Sequence, residues 1–337
     1  MCLRPAPLLK GEAVEVENYR VDSTPKGSSA VNTIETLRHD EPGEIPEASS
    51  PSPSQRIARS IITDMSALVS PPDVCLKVGE LLNDDGASAQ DFADLIMRDP
   101  NLSARILKLV NSAFYGLQSK VDTISRAFSI LGTKELARLV YTVSAVQTFS
   151  KIPAEVTNVN TFWRHSVYTA MTAEALAKAI HVLHPERLFV AGVMHDLGTL
   201  LINARFPEVA TQIIPTTEGD ERLLYLDEQE WLGFDHASLG AMMVENWHLP
   251  AATCDAIRWH HAPERAVIAP LEAAVLHIAE MLANVSGTGS YCEKVMAPEA
   301  LDRERFGLLG LPLDFDHESL MDQIDRQFVE TIYLLVA

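Results

Sequence analysis

The chain has 337 residues, 47% of them apolar, which is enough for one large or two ordinary domains with a sizeable core. Its net charge of -19, from 27 Lys+Arg against 46 Asp+Glu, repels phosphate backbones and anionic lipid. Direct nucleic-acid binding and membrane association are therefore not expected, and the charge itself favours solubility. No uncharged apolar run approaches the ~20 residues that span a bilayer. The start, Met1 to Lys10, lacks an apolar core long enough for a signal peptide. Cys2, Cys75, Cys254 and Cys292 are scattered without a C-x-x-C pair, which fits a reduced, cytoplasmic setting.

Residues 1–55 are rich in Pro, Ser and Glu and contain one aromatic, Tyr19. They cannot bury enough surface to offset ordering, so a disordered tail is expected. From Arg56 the texture becomes helical. Ile57, Ile61, Met65 and Leu68 form a stripe at helical spacing, broken by Pro71-Pro72. A short helix follows through Leu76, Val78, Leu81 and Leu82. Ser88 and Asp91 read as a capping box opening a helix through Phe92, Leu95 and Ile96. Asp99-Pro100 ends it, and Ser103 is expected to cap the helix bearing Ile106, Leu107 and Val110. Asn111 and Ser112 are read as backbone-fixing side chains at a helix end, and Tyr115-Gly116 as a helix stop. A long helix is expected from Glu135 to about Phe149.

A polar link over about 153–160 separates this half, 56–152, from a second half, 153–285. There, helices are expected over 161–182, 186–204, 206–214, 222–232, 236–247, 251–261 and 268–285. The remainder, 286–337, reads as a C-terminal extension. Its helix over 316–335 carries Leu320, Ile324, Phe328 and Ile332 on one stripe, for docking on the core or for a homodimer contact. No period-2 run of any length and no fixed-period repeat occurs. The expected fold is all-α.

The doublet His195-Asp196 closes the apolar run Phe189-Val-Ala-Gly-Val-Met. An imidazole beside a carboxylate is a poor core choice and a good ligand pair. His165, His236, His260 and His261 stand on other expected helices, and ligands on several helices of a bundle can converge in its interior. Imidazole with carboxylate suits iron, manganese or zinc, as one or two ions. Taken singly, each histidine has an ordinary alternative. His165 would suit a hydrogen-bonded core group, and His260-His261 a helix C-terminus. His39, His181, His184, His248 and His317 fall outside the set and are read as solvated.

The ordered run His165…His195-Asp196…His236…His260-His261 resembles the HD superfamily of metal-dependent phosphohydrolases. Other stretches resemble one branch of it, the HDOD domain (HD-related output domain). They are Ser70-Pro-Pro72, Leu95 to Ala104, Leu109 to Gly116, Ile130-Leu-Gly132, Arg138-Leu-Val140, Phe162 to Ser166, Leu197-Gly198 and His236 to Pro250. The resemblance covers about 57–285. It implies a multi-helical HD-like bundle with an N-terminal helical subdomain, and a bacterial signalling module generally without hydrolase activity. It also places Glu280 where that superfamily carries a late metal-binding aspartate. No receiver, cyclase or phosphodiesterase segment is expected in the tail.

Three departures bear on activity. Thr199 stands where phosphodiesterase relatives carry a lysine, and it cannot supply a charge. Glu280 is one methylene longer than aspartate. A Gly-Tyr-Pro signature is absent. Two functions therefore stand. The first is a non-catalytic module binding a protein partner or small signalling ligand. The second is a metal-dependent phosphohydrolase on a nucleotide or phosphoester, with Arg164 or Arg258 contacting phosphate in place of the missing lysine.

Overall fold

Apolar residues recur at helical spacing from Ile57 onward, and helices are what form. The computed structural model describes residues 53–64, 70–84, 86–112, 114–150, 156, 158–292 and 294–336. Residues 1–52 of the expected tail, His39, Met65 and Leu68 lie outside them. Fourteen α-helices and no strand occur among the described residues. The first half holds α1 (Pro53–Asp64), α2 (Asp73–Leu82), α3 (Ala89–Met97), α4 (Pro100–Val110) and α5 (Ile124–Phe149). The second holds α6 (Val159–Ala179), α7 (Glu186–Met194), α8 (Leu197–Arg205), α9 (Pro207–Ile213), α10 (Glu221–Leu232), α11 (His236–Asn246), α12 (Ala251–Arg258) and α13 (Pro270–Val285). The last is α14 (His317–Val336).

The helix starts follow local chemistry. Ser88 accepts from the Asp91 N–H while Asp91 accepts from the Ser88 N–H, a complete capping box. The cap of α4 is Asp99, which accepts from the Asn101 and Leu102 amides, and not Ser103, whose hydroxyl donates to the Ile96 carbonyl. Pro100 at the first helical position explains the shift, because it presets the backbone directly after Asp99. Asn111 fixes the backbone, donating to the Leu107 and Val121 carbonyls and accepting from the Val121 N–H. Gly116 is left-handed, but the helix stops earlier, at Val110 with Asn111 as its C-cap, so Tyr115-Gly116 closes the turn that follows it and not the helix. A break at Gly132 divides α5, so its first turns, 124–131, precede the helix expected from Glu135.

Helix α6 is the hub. It is buried along nearly its whole length and packs against α7, α13 and α14. The last helix lays Ile324, Phe328 and Leu335 inward, with the Phe328 ring 5.3 Å from that of Tyr168 on α6. His317, expected in solvent, is instead buried at the start of α14, its ring 5.7 Å from that of Phe306. The packing of α14 on the core carries its first residue inward. His181 and His248 are exposed, and His184 is half-buried beside Lys134 and Glu186. No helix among the described residues is long and apolar enough to cross a membrane.

Candidate metal centre

The stretch 186–204, expected as one helix, is two. The chain breaks at His195-Asp196, where α7 ends and α8 begins. Asp196 occupies the position where a carboxylate usually caps, yet it makes no cap bond. Its carboxylate turns into the interior instead. The break lets adjacent residues both face inward, which 100° of helical rotation would otherwise prevent.

Two close crossings bring helices that carry the other candidate residues to this point. A Cβ on Gly192 of α7 would lie 2.5 Å from the Ala170 Cα of α6, so only glycine permits that approach, which sets His165 beside His195. A Cβ on Gly198 of α8 would lie 2.0 Å from the His236 carbonyl oxygen, so α8 and the start of α11 touch backbone to backbone. His236 opens α11, with Asp235 capping it through the Ser238 N–H. His260 and His261 follow α12, and Glu280 lies on α13.

The structure brings together His165, His195, Asp196, His236, His260, His261 and Glu280, all buried. Asp196 is central. Its Oδ2 lies 3.3 Å from His165 Nε2 and 3.1 Å from His195 Nε2. Its Oδ1 lies 3.5 Å from His236 Nε2 and 3.7 Å from His260 Nε2. Glu280 reaches His260 at 3.7 Å and His261 at 3.5 Å. A carboxylate not anticipated from the sequence, Glu221 at the start of α10, lies 3.3 Å from His165 Nε2.

The outward nitrogens fix the tautomers. His165 Nδ1 faces the Gly289 carbonyl at 2.7 Å, His195 Nδ1 that of Gly192 at 2.8 Å, and His260 Nδ1 that of Ile257 at 2.7 Å. A carbonyl only accepts, so each of these nitrogens carries the proton. His236 Nδ1 likewise faces Glu228 Oε2 at 2.6 Å. In their neutral forms all four rings therefore turn an Nε2 lone pair inward. His165 and His195 point theirs at one another across 3.2 Å, and His236 meets His261 Nε2 at 2.8 Å. Asp196 Oδ1, His260 Nε2 and Glu280 Oε2 are buried without a hydrogen-bond partner.

The electrostatics follow this crowding. Burial would lower His165, but Glu221 and then Asp196 outweigh it and hold the ring at about 9. Burial is likewise outweighed at His236, held at about 10 by Glu228 and Asp196. Burial pushes Glu221 up to about 8, with Asp196 adding and His165 opposing. It pushes Glu280 well above the carboxylate range, reinforced by Glu221 and Asp196. Asp196 goes the other way. Burial opposes its charge, but His195, His165 and His236 hold it well below its ordinary value. Burial and a neighbouring imidazole depress both His260 and His261, through His195 and His260 respectively.

A cavity of about 490 Å³ opens onto one edge of the cluster, at His165, Asp196 and Glu221, with Thr199 beside them. Neither Arg164 nor Arg258 is among the described residues lining it. Arg164 lies on the exposed side of α6 and donates to the Thr288 carbonyl. Arg258 pairs with Glu245 at 2.6 Å. Sequence reasoning missed Glu221, Glu228 and His277, whose Nδ1 donates to the His260 carbonyl. A signal for the two glutamates existed: they stand on the buried stripe of α10 with Leu224, Tyr225 and Leu232.

Known proteins share this arrangement of helices. The solved HDOD domain protein of unknown function from Geobacter sulfurreducens is 25% identical, with a TM-score of 0.64 over 83% of this chain and 97% of that one. A Shewanella amazonensis SB2B protein named as a candidate phosphohydrolase has a TM-score of 0.63 at 24% identity, over 82% and 98% of the two chains. A Marinobacter aquaeolei VT8 protein named as a candidate signal transduction protein has a TM-score of 0.65 at 18% identity, over 84% and 66%. An uncharacterised Treponema pallidum protein is 26% identical over 215 residues, 62% of this chain. The chain spans about two fifths or less of the length of the curated relatives it matches. The model of the HDOD domain matches residues 68–263, more than half of the sequence, and the chain belongs to the HDOD domain family.

Proposed function

We propose that this chain is a metal-binding signalling module of the HDOD type. One or two divalent transition ions (iron, manganese or zinc) tie its helices together, and it receives a protein or small-molecule signal. The observation that carries this is the outward tethering of four histidine ring N–H groups, which turns their lone pairs toward Asp196. Metal-ligating histidines characteristically donate their other ring N–H to a carbonyl or carboxylate. The donor spacing agrees. Metal bonds of ~2.1 Å in tetrahedral geometry place ligand atoms about 3.4 Å apart. His165, His195 and Asp196 are separated by 3.1–3.3 Å. His165, His195, Asp196 Oδ2 and Glu221 would hold one ion. His236, His260, His261, Asp196 Oδ1 and Glu280 would hold a second. A bound ion would supply positive charge to three buried carboxylates and cross-link helices that lie far apart in the sequence.

Elemental analysis of protein purified without chelator tests this. One to two transition ions per chain are expected, and Asp196→Asn should lose most of them and melt at lower temperature, since ligation is coupled to folding. Protein that holds no metal after supplementation would sink the proposal.

The phosphohydrolase reading has one observation in its favour: the cavity reaches the His165–Asp196–Glu221 edge, where an ion could act as a Lewis acid. The chain's own groups serve it poorly: Thr199 is uncharged, both arginines are engaged elsewhere, and Lys294, which does line the cavity, stands at its exposed rim paired with Glu218. Phosphomonoesters, nucleotides and cyclic dinucleotides in manganese or iron should show no turnover. Turnover lost on chelation and in His195→Ala would establish the hydrolase instead.

A further inference from the structure

The cavity above the cluster has a chemistry of its own. Its volume, about 490 Å³, falls within the ~300–1,000 Å³ of small-molecule sites. Phe162, Ile214, Pro215 and Leu224 give it apolar wall, and Asn158 and Asn203 add neutral polar groups. Such a lining suits an organic molecule better than a bare inorganic ion. Apart from His165, which belongs to the cluster, Lys294 is the one basic residue among the described residues lining it. Its Nζ is paired with the carboxylate of Glu218, which also lines the cavity. Their side chains are 57% and 69% exposed, so the pair stands at the rim.

The rim is built rather than incidental. The Lys294 carbonyl accepts from Ser290 Oγ at 3.2 Å and from Cys292 Sγ at 3.2 Å. Gly219 lies so close that a Cβ there would be 2.4 Å from the same carbonyl. The Thr217 and Tyr291 hydroxyls bond across the same gap. Glu218 itself is held at φ 57, a left-handed backbone that a non-glycine residue rarely adopts. The turn 217–219 and the described residues 290–292 and 294–296 are thus held together, with Lys294 and Glu218 paired at the entrance.

We propose that this cavity takes an organic anion, with an apolar body against Phe162, Ile214 and Leu224 and its charged head held by Lys294 in exchange for Glu218. The proposal deepens the signalling-module reading and rests on it, since the cluster forms the cavity floor. The exchange costs little, because a solvent-exposed ion pair contributes little and Glu218 returns to water it already touches. An anion arriving at Lys294 gains a charge-assisted bond. Glu218 therefore acts as a built-in competitor that screens out anions without enough apolar surface to displace it.

Calorimetry on the full-length protein, as purified and after metal supplementation, tests this. Phenyl phosphate and benzoate are the probes, with inorganic phosphate and benzyl alcohol for comparison. At least one aromatic anion should bind, and the two probes tell a phosphate head from a carboxylate head. Lys294→Gln should weaken that binding roughly three- to tenfold, and Glu218→Gln should tighten it roughly two- to threefold. Opposite signs are the signature, because a merely structural pair would shift affinity the same way when broken from either end. Same-sign or unchanged affinities, benzyl alcohol or inorganic phosphate binding as well as the aromatic anions, or no aromatic anion binding at all would overturn it. Metal content is measured on the same samples. A wild-type protein without metal would remove the metal reading, while the sign of the two substitutions still decides this one.

Discussion

At Asp196 one carboxylate faces four imidazoles, two on each oxygen, and this is the residue on which the rest of the cluster depends. The surrounding protons make a testable consequence. In the metal-free site His165 titrates at about 9, His236 at about 10 and Glu221 at about 8, so all three hold protons at pH 7. A ligand must be deprotonated to bind an ion. Loading should therefore release protons at pH 7, and affinity should rise with pH up to about 8–10 and fall as pH drops. Calorimetric metal titration in two buffers of different ionisation enthalpy measures the release. At least one proton per filled site is expected, and none would contradict these protonation states. Six residues of this cluster, five histidines and Asp196, stood out in the sequence by type and order, and Glu280 came with the family resemblance. Glu221 was passed over although it stands on the apolar stripe of α10. A glutamate in the first turn of an acidic helix reads as a favourable partner of the helix dipole. Only the tertiary fold, which sets the start of α10 beside His165, shows where it faces.

Among the elements, the helix break at His195-Asp196 and the glycines around it convert a linear motif into a site. Most helices were legible from apolar spacing, and the capping box at Ser88 from local chemistry alone. The split between α7 and α8 was not, because residues 186–204 carry no proline and the polar pair His195-Asp196 reads as a site motif and not as a break. Tertiary contact makes the break: Gly198 must meet the His236 carbonyl, and a continuous helix would turn Asp196 away from His195. Gly198→Ala follows from this. Its Cβ would fall 2.0 Å from backbone, which cannot swing aside as a side chain can. Overpacking of this kind costs about 1–3 kcal/mol or more. The melting temperature should fall, and metal affinity should fall with it as α8 and α11 separate. Gly307→Ala is the control, since nothing lies within 4 Å of its Cβ. If both alanine variants melt and load alike, the crossing does not position the site.

For the whole molecule, the sequence suggested two helical halves on either side of a polar link, and their joining depends on long-range contacts that it does not display. One of these is a buried guanidinium. Arg138 on α5 donates to Glu174 on α6 at 2.8 Å and to the Tyr115 hydroxyl at 2.6 Å, pairs with Glu135, and lies 4.3 Å above the Phe189 ring of α7. Removing one partner of a buried ion pair leaves the other charge without compensation and typically costs about 3–5 kcal/mol. Arg138→Met keeps the volume and removes the charge, so its cost reports the network and not a cavity. The four tryptophans, Trp163, Trp231, Trp247 and Trp259, all lie in the second half, whereas helical circular dichroism reports both halves. In urea the two signals should coincide for the wild type. In Arg138→Met the dichroism should begin to fall at lower denaturant than the fluorescence, because α1–α5 loses its tie to α6 and α7 first. A second contact, Phe149 on α5 against Trp247 at 5.9 Å, remains in the variant. If the two signals still coincide at a midpoint close to the wild type, apolar packing of that kind joins the halves and Arg138 does not.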